Sequence, residues 1–305
     1  MLATLSNKPF SDPNWIYERK LDGMRCILIK HKDKVIILSR NHKIQNNFYP
    51  ELVAALKKYR SDFILDSEVV AFSGQQTSFE SLQLRMHIKD PTPIIIKNTP
   101  LTVFIFDILN LNGHDVTKIP LWARKQVIKD NFEFAKPFKY LPFRKNDGLK
   151  FLQKACDKKW EGIIAKRSDS EYVHKRSTDW LKFKCSHSQE FVIGGYTEPQ
   201  GTRLKFGALL LGYYQNGKLK YAGKVGTGFN ADSLILIHQK MRSLTTNNSP
   251  FHNYNNNVTN TIWLKPSLVC DVEFSEWTSE GKLRHPRFKG LRNDKPSKKV
   301  TRENL

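Results

Sequence analysis

A lysine flanked by two carboxylates is the first group in the sequence whose residue types could carry out covalent chemistry. It stands in the run Glu18-Arg-Lys20-Leu-Asp22-Gly23-Met-Arg25. In an extended segment alternate residues share a face, so the run predicts that Glu18, Lys20 and Asp22 point the same way. A lysine amine attacks only when it is neutral. Nearby cations such as Arg25 would lower its pKa, whereas Glu18 and Asp22 would raise it. The sequence leaves open which effect is larger.

Four later runs contain residue types that would complement such an amine. They are Asp66-Ser67-Glu68, Phe104-Ile-Phe106-Asp107, Glu161-Gly162 and Trp180-Leu-Lys182-Phe-Lys184. Each run alone is compatible with an ordinary strand. Together they supply carboxylates for a divalent cation, an aromatic platform for a base, and two lysines on one strand face for phosphate. A loop of the form G-x-x-x-x-G-K-[ST] does not occur, which excludes that class of nucleotide site.

A mixture of strands and helices must position these runs in the first half of the chain. Alternating apolar residues and β-branched content predict the strands Trp15–Lys30, Lys34–Ser39, Phe63–Phe72, Leu101–Leu109, Gly162–Lys166 and Trp180–Lys184. Helical spacing predicts Pro50–Tyr59, Leu121–Phe132 and Gly148–Lys158. The elements do not follow a regular βαβ alternation, so this half is predicted to be α+β with antiparallel sheets.

Short strands dominate the second half. The predicted strands are Gln189–Gly195, Phe206–Gln215, Lys218–Val225, Trp263–Pro266 and Val269–Trp277, with one helix at Ala231–Leu244. Asn216-Gly217 between two strands predicts a hairpin turn. Five short strands with one helix match the inventory of an OB-fold barrel. The Asn-rich segment Thr245–Asn260 is expected to be a mobile loop.

Composition favours a polyanionic partner. The 305 residues include 50 Lys and Arg against 29 Asp and Glu, a formal net charge of +21. The excess is +13 in residues 1–188 and +8 in residues 189–305, which suits nucleic acid that contacts both halves.

No apolar run reaches the roughly 18 residues of a spanning helix, and the first residues lack a signal-peptide core. Cys26, Cys156, Cys185 and Cys270 form no C-x-x-C pair, so we expect reduced packing cysteines in a cytoplasmic protein.

Lys20-Leu-Asp22-Gly23-Met-Arg25 resembles motif I, K-x-D-G-x-R, of the covalent nucleotidyltransferase superfamily, which contains the ATP-dependent ligases and mRNA capping enzymes. The later motifs follow in the family's order: Ser39-Arg40 (Ia), Asp66-Ser-Glu68 (III), Phe104-Ile-Phe106-Asp107 (IIIa), Glu161-Gly162 (IV) and Lys182-Phe-Lys184 (V). Leu283-Arg284-His-Pro286-Arg287-Phe288 and Arg292-Asn-Asp294-Lys295 are similar to motif VI of DNA ligases. Seven motifs in order cover nearly the whole chain.

Within this superfamily the sequence is most similar to the ligase module of bacterial end-joining ligases. Met1-Leu-Ala-Thr-Leu, Ser39-Arg-Asn, Trp180-Leu-Lys-Phe-Lys-Cys and Glu190-Phe-Val-Ile-Gly-Gly-Tyr carry that likeness. The chain has no room for the polymerase and nuclease domains that often accompany the module, so it resembles the stand-alone form. One departure is Lys175, where the family has a glycine before the arginine that corresponds to Arg176.

The resemblance implies a fold and a reaction. The fold is a nucleotidyltransferase domain of ATP-grasp-like antiparallel sheets with helices, residues 1–187, followed by an all-β OB-fold domain, residues 188–305. The reaction is the joining of nicked double-stranded DNA: AMP passes from ATP to Lys20, then to a DNA 5′-phosphate, and a 3′-hydroxyl displaces it. Mg²⁺ is expected as the cofactor, with Mn²⁺ as the alternative.

The resemblance also implies roles for individual residues. Catalytic roles fall to Lys20, Asp22, Arg25, Lys182 and Lys184. Glu18 would contact the adenine, Phe106 would stack on it, and Glu68 and Glu161 would bind the metal or the ribose. Contacts to ribose, phosphate or pyrophosphate are implied for Arg25, Arg40, Arg176, Lys182, Lys184, Arg284 and Arg287, the last two orienting the leaving pyrophosphate.

Alternative functions remain open from sequence alone. An RNA ligase or a capping guanylyltransferase shares motif I and the OB domain, although Glu18 favours adenine and motif VI favours DNA. A non-catalytic single-strand-binding OB protein would need neither Lys20 nor the metal carboxylates. A monomer without membrane contact, associated with a bacterial nucleoid and working with a Ku-like end-binding protein, is the expected setting. The sequence does not separate end joining from excision repair.

Overall fold

Two largely antiparallel sheets make up residues 1–185 in the computed structural model, which describes residues 1–185, 187–199, 205–254 and 260–303. The strands are β1 (Leu2–Leu5), β2 (Trp15–Lys20), β3 (Met24–His31), β4 (Lys34–Ser39), β5 (Phe63–Ser73), β6 (Gln76–Thr77), β7 (Leu101–Leu111), β8 (His114–Asp115), β9 (Phe138–Tyr140), β10 (Phe143–Lys145), β11 (Gly162–Arg167) and β12 (Arg176–Lys184). The helices are α1 (Pro50–Leu56), α2 (Phe79–Met86), α3 (Pro93–Asn98), α4 (Leu121–Asn131) and α5 (Gly148–Asp157).

The strand order places the predicted functional runs in two different sheets. One sheet has the order β1-β12-β11-β2-β10 and carries Lys20, Lys182 and Lys184. The other has the order β4-β3-β5-β7-β8, with β6 beside β5 and β9 beside β7, and carries Arg25 and Glu68. Both sheets contribute side chains to one buried apolar cluster. The α+β architecture with antiparallel sheets is therefore confirmed.

The predicted continuous strand Trp15–Lys30 is wrong, because the chain changes sheets within it. β2 ends at Lys20 and β3 begins at Met24, so Asp22 lies in the bend between them. A Cβ built on Gly23 would lie 2.4 Å from the carbonyl oxygen of Val69, so the bend requires glycine there. Asp22 is consequently not on the strand face that Glu18 and Lys20 share. Its Oδ2 instead accepts a 3.4 Å hydrogen bond from the backbone N–H of Phe79, at the start of α2.

Several short elements were not predicted. α2 follows the N-cap Ser78, whose hydroxyl accepts from Ser81 N–H, and α3 follows Thr92 with a proline at its first position. These are ordinary helix-start signals that the sequence did contain. The strand β1 gave no such signal, because its pairing with β12 is long-range: Leu5 lies opposite Lys182.

Residues 186–304 form a second unit that is built around one seven-stranded sheet. Its elements are β13 (His187–Thr197), β14 (Leu209–Gln215), β15 (Lys218–Val225), α6 (Ala231–Arg242), β16 (Thr245–Thr246), β17 (Thr261–Leu264), β18 (Val269–Phe274), β19 (Glu276–Trp277), β20 (Leu283–Arg284), β21 (Arg287–Arg292) and a 3₁₀ turn at Ser297–Lys299. The sheet order is β15-β14-β13-β17-β16, and β18 joins β13 to β21. Antiparallel strands with one helix confirm the OB-fold prediction, and the prediction missed β21 and the two-residue strands β16 and β20.

Two local predictions in this unit have opposite outcomes. The Asn216-Gly217 hairpin is confirmed, since both residues have positive φ, 51° and 73°, between β14 and β15. The Asn-rich segment is not simply a loop: it begins with β16, Phe251 is buried in the core, and Asn253 Oδ1 accepts a 2.7 Å hydrogen bond from Tyr221 N–H. Residues 255–259 of that segment lie outside the described residues.

The prediction that all four cysteines are reduced is wrong for two of them. Cys156 in α5 and Cys185 after β12 form a disulfide, with Cα atoms 5.1 Å apart. Their 29-residue separation contains no recognisable spacing, so only the packing of α5 beside the sheet brings them together. Cys26 and Cys270 are free and buried, as expected. Within the described parts of the chain, every helix is too short or too polar to cross a bilayer.

Candidate active site

A pocket of about 150 Å³ lies where the two sheets of the first unit face each other. Five of the predicted site residues line it: Glu18, Lys20, Arg25, Glu68 and Phe106. Residues to which the sequence assigned no role line it as well, among them Arg19, Ile164, Lys166 and Trp180. The fold therefore brings together runs as distant as those of Glu18 and Trp180, which are 162 positions apart in the chain.

Lys20 is the last residue of β2 and lies opposite Gly162 of β11. Its ammonium Nζ forms an ion pair with Oε1 of Glu161, and both side chains are about one-fifth exposed. Gly162 has φ +146°, and a Cβ there would lie 2.0 Å from the carbonyl oxygen of Phe183. Glycine is therefore required at the position that sets Glu161 beside Lys20.

The electrostatic surroundings of Lys20 favour its protonated form. Burial is the largest single effect and lowers the pKa of the amine, but Glu161, Glu68 and Asp22 together raise that pKa above its ordinary value. The carboxylates together thus have the larger effect on the pKa of Lys20. Glu161 is the principal one, whereas the carboxylate of Glu18 is engaged elsewhere.

Lys182 and Lys184 lie on the same face of the sheet as Glu18 and Lys20. In the register of β2, β11 and β12, Lys184 lies opposite Gly162 and Lys20, and Lys182 lies opposite Ile164 and Glu18. Directly opposed residues of neighbouring strands project to one side. The two β12 lysines therefore belong to the pocket side, as their predicted contacts with phosphate require.

Glu18 is almost completely buried, and two lysines hold it. Lys125 Nζ contacts Oε1, and Lys166 Nζ lies 2.7 Å from Oε2. Burial lowers the pKa of Lys166 to about 8, with Lys125 adding to that effect and Glu18 opposing it. Sequence reasoning missed both lysines. Lys166 could have been found by extending the alternation of β11 two residues past Ile164, but Lys125 comes from a helix and gave no comparable signal.

Phe106 occupies a β-bulge that aims its ring into the pocket. Asp107 pairs with Asp66 and Ile105 pairs with Ser67, so Phe106 is the extra residue on β7. Its ring packs edge-on against Trp180 with centroids 6.1 Å apart, and Lys166 Nζ lies 4.4 Å from its centre. Phe106 is thus both a core residue and a pocket wall, which suits its predicted role as a platform for a base.

Arg25 is fixed by a buried carboxylate and a tyrosine. Its Nε donates to Asp66 Oδ1 at 2.8 Å, a second nitrogen contacts Oδ2, and Tyr172 Oη donates to Asp66 Oδ2 at 2.8 Å. Burial raises the pKa of the Asp66 carboxyl, but Arg25 overcomes this effect and holds it below its ordinary value. Asp66, at the first position of motif III, therefore orients Arg25, and Tyr172 completes the arrangement.

Glu68 and Glu161 fit the predicted divalent-cation site in their chemistry. Both carboxylates act electrostatically on the Lys20 amine, and carboxylate oxygen is the ligand that Mg²⁺ and Mn²⁺ prefer. Glu68 lies opposite Arg25 on β3 and opposite Phe104 on β7. Among the described residues no group of three or more His, Cys, Asp or Glu is placed to hold a metal.

One buried donor fits a nucleotide base. Trp180 Nε1 makes no hydrogen bond to any described residue. A buried donor without an acceptor costs about 1–3 kcal/mol. A ligand whose ring nitrogens accept hydrogen bonds would relieve that cost in this pocket.

The remaining predicted residues lie apart from this pocket lining. Arg40 directly follows β4, and Arg176 opens β12, where its guanidinium contacts the backbone carbonyl of Ala3. In the second unit Arg284 is exposed and pairs with Glu276 at 2.6 Å, and Arg287 is exposed at the start of β21. Their predicted contacts with nucleotide or DNA stay predictions.

Known proteins match the chain along nearly its whole length. The family model for the ATP-dependent DNA ligase domain matches residues 1–184, and the model for the ATP-dependent DNA ligase C-terminal region matches residues 202–295. The multifunctional non-homologous end joining protein LigD of Pseudomonas aeruginosa is 34% identical over 99% of this chain. LigD of Mycobacterium tuberculosis is 32% identical over 95% of it.

The same comparisons delimit the matching part of those relatives. The chain spans 36% of the Pseudomonas protein and 37% of the Mycobacterium protein. A solved structure described as mycobacterial DNA ligase D complexed with ATP and MES superimposes with a TM-score of 0.73 and 30% identity, covering 99% of this chain and 97% of that one. The likeness therefore extends over both units.

Proposed function

The chain belongs to the family of ATP-dependent DNA ligases, and from that premise we propose that it joins nicked or broken double-stranded DNA through AMP carried on Lys20. The observation that carries the proposal is the position of Lys20: its amine lies at a pocket between two sheets, in contact with Glu161 and on the face shared with Lys182 and Lys184. A single-strand-binding protein would have no use for this arrangement.

The first step would place AMP on the lysine. A proton leaves Nζ, with Glu161 as the carboxylate in position to accept it. The nitrogen then forms a bond to the α-phosphorus of ATP while the bond to the pyrophosphate oxygen breaks. Lys182 and Lys184 would stabilise the negative charge that develops on the α-phosphate. A divalent cation held by Glu68 and Glu161 would neutralise further phosphate charge. Arg284 and Arg287 are assigned to the pyrophosphate on the family resemblance alone.

The later steps would transfer the nucleotide to DNA and release it. The terminal phosphate oxygen of a 5′ end displaces Lys20 from phosphorus, and a 3′-hydroxyl then displaces AMP, which leaves a phosphodiester. Arg25, which Asp66 holds rigidly, is proposed to orient the phosphate that reacts. Glu18 and Phe106 would hold the adenine.

The biological setting is proposed from the relatives. Proteins named for non-homologous end joining and DNA repair match the chain, so we assign it to bacterial DNA repair, in the cytoplasm and at the nucleoid, with a Ku-like end-binding partner. The assignment of residues 1–187 to nucleotidyl transfer and residues 188–305 to the OB-fold domain belongs to the same proposal. The net charge of +21 is compatible with DNA as the partner.

The decisive experiment is adduct formation. The protein, its Lys20→Ala variant and the control Lys34→Ala, which removes an exposed lysine of β4, are incubated with Mg²⁺ and α-labelled ATP or GTP. We expect label from ATP on the unsubstituted and control proteins, none on Lys20→Ala, and conversion of a nicked duplex to a sealed strand. Label from GTP alone would reassign the chain to capping chemistry. If neither nucleotide labels the protein, the proposal that it is an enzyme is refuted.

A further inference from the structure

The Glu18 carboxylate is clamped by two buried lysines that come from different elements. Glu18 is 1% exposed, and Lys125 of α4 and Lys166 of β11 are each 2% exposed. Each lysine takes one carboxylate oxygen. The two ion pairs therefore hold both carboxylate oxygens in place.

Aromatic faces fix the two lysines in turn. Lys166 Nζ lies 3.9 Å from the centre of the Trp180 ring, and Lys125 Nζ lies 5.3 Å from that of Tyr140. Cations at these distances are attracted by the ring faces. Asp107, another buried carboxylate that acts electrostatically on Lys166, already engages Arg124 through both oxygens, at 2.8 and 3.1 Å. The clamp is therefore specific to Glu18.

The clamped carboxylate can distinguish purines. An ionised carboxylate only accepts hydrogen bonds and offers about four lone-pair positions, of which the lysines occupy one on each oxygen. Adenine presents a 6-amino group that donates to such an oxygen, whereas guanine and hypoxanthine present a 6-oxo group that it repels. Glu18, Lys166 and Phe106 all line the pocket, so a base against Phe106 lies beside this carboxylate.

Resting on the proposed function, we propose that Lys125 and Lys166 are positioning residues that make the site selective for a 6-aminopurine by holding the Glu18 carboxylate fixed at the pocket wall. If the lysines served only to offset the charge of a buried carboxylate, the three side chains could lie anywhere in the core. Here the carboxylate and one of its lysines line the cavity in which the nucleotide is proposed to bind.

The test compares ATP with ITP, which differs at the 6-position by an oxo group. Adduct formation is measured for the unsubstituted protein, Lys125→Met, Lys166→Met and the double variant, each as kcat/KM. We expect the ATP-to-ITP ratio to fall at least about ten-fold in each single variant, the worth of one charge-assisted hydrogen bond, mainly through a higher KM for ATP. In the double variant no ammonium group holds either carboxylate oxygen, so the preference for ATP over ITP should fall further than in the single variants.

Lys30→Met is the matched control. Lys30 is another buried lysine of the same unit, 5% exposed and 3.6 Å from Asp62, so it shares the burial of the clamp lysines but lies on β3 outside the pocket lining. Its ATP-to-ITP ratio should equal that of the unsubstituted protein. Equal loss of ATP and ITP activity in the clamp variants would refute the inference and leave the lysines a structural role.

Two further outcomes separate the inference from the function on which it rests. An unsubstituted protein that forms no adduct with any nucleotide would refute the proposed function itself. If the Met variants fail to fold, adduct formation by the unsubstituted protein is measured with ATP, with ITP and with a purine riboside triphosphate that carries hydrogen at position 6. Activity that decreases in the order ATP, 6-hydrogen purine, ITP supports Glu18 as a hydrogen-bond acceptor for the base. Equal use of ATP and ITP refutes the inference.

Discussion

Among single residues, the pair formed by Lys20 and Glu161 decides how the first chemical step can begin. The carboxylate favours the protonated, unreactive form of the amine, although burial acts in the opposite direction. The same carboxylate is the group that contacts the proton to be removed. The contact between Lys20 and Glu161 therefore both keeps the amine protonated and places a proton acceptor beside it.

Replacing Glu161 by glutamine should lower the pKa of Lys20. Glu161 raises that pKa, so its loss leaves burial opposed only by Glu68 and Asp22. The fraction of neutral amine at a given pH should therefore increase. Labelling of Lys20 with an amine-directed reagent, followed by mass spectrometry between pH 7 and 11 in the presence of a chelator, should show a midpoint at lower pH in the variant. An unchanged midpoint would contradict the pairing. Lys34 labelling serves as the internal standard.

Replacing Arg25 by methionine should destabilise the fold most at neutral pH. In the unsubstituted protein the pKa of Asp66 is depressed, so its contribution to stability is present above the unfolded value of about 3.9 and is lost as pH falls through the folded value. Without Arg25, burial raises the pKa of Asp66, and an unpaired buried carboxylate costs about 3–5 kcal/mol at pH 7. Protonation relieves this cost as pH falls.

Chemical denaturation at pH 7 and pH 4.5 measures the effect of Arg25→Met. The difference in unfolding free energy between the two proteins should be smaller at the lower pH. Arg144→Met is the control, because Arg144 forms an exposed pair with Asp147 at 3.5 Å, and pairs of this kind contribute little. A deficit that does not depend on pH would exclude Asp66 as its source.

The residues gathered at the pocket could be predicted from the sequence better than their supporting contacts could. Residue type and order were enough to single out Lys20, Glu68 and Phe106, which line one pocket, and Glu161, which contacts Lys20. The partners of Glu18 could not be found in this way, because Lys125 is 107 positions away on a helix that shows no chemical pattern. Whether the carboxylates or the cations control Lys20 also depended on distances that only the assembled sheets provide.

At the scale of elements, the close contact of β11 with its neighbours makes the site possible. Gly162 lies between Lys20 on β2 and Lys184 on β12, and its backbone conformation is one that L-residues rarely adopt. The absence of a side chain lets β12 approach closely. The register of three strands at the nucleophile therefore depends on one glycine.

Gly162→Ala should cost more stability than glycine conformation alone explains. The new methyl group would lie 2.0 Å from Phe183 O, so β11 and β12 must separate, in addition to a backbone cost of about 1–2 kcal/mol. Gly74→Ala is the control: its φ is +59° and its Cβ would meet nothing within 4 Å. Urea denaturation should show a clearly larger loss for Gly162→Ala, with loss of the adduct. Equal losses would mean that β12 does not constrain this position.

Regular elements could be predicted because their cause is local. Alternation identified β4 with its correct ends, Lys34–Ser39, and helical spacing identified α4 and α5 to within a residue. The strand through Lys20 was predicted too long because alternation continues across Gly23, whereas the bend there is imposed by the carbonyl of Val69 on another strand. Long-range contacts of this kind leave no periodic signal.

At the scale of the whole molecule, the charge excess predicts how binding to a nicked duplex depends on salt. Both halves of the sequence are basic, so many phosphates can be neutralised and their counterions released. Fluorescence anisotropy with a labelled nicked duplex should show affinity falling about 10³-fold or more between 50 and 200 mM salt, as for six or more phosphate contacts. A shallow dependence would mean that most of the basic residues face away from DNA.

The pairing of β1 with β12 has a consequence for how the protein is made. Leu2 lies opposite Arg176 and Leu5 opposite Lys182, so a strand at the start of the first unit finds its partner only among the last residues of that unit. β2 similarly pairs with β11 only after most of the unit has been synthesised. On the ribosome, the sheet around Lys20 must therefore stay open until β12 has emerged. Lys20 is thus synthesised well before the strands that complete the sheet around it.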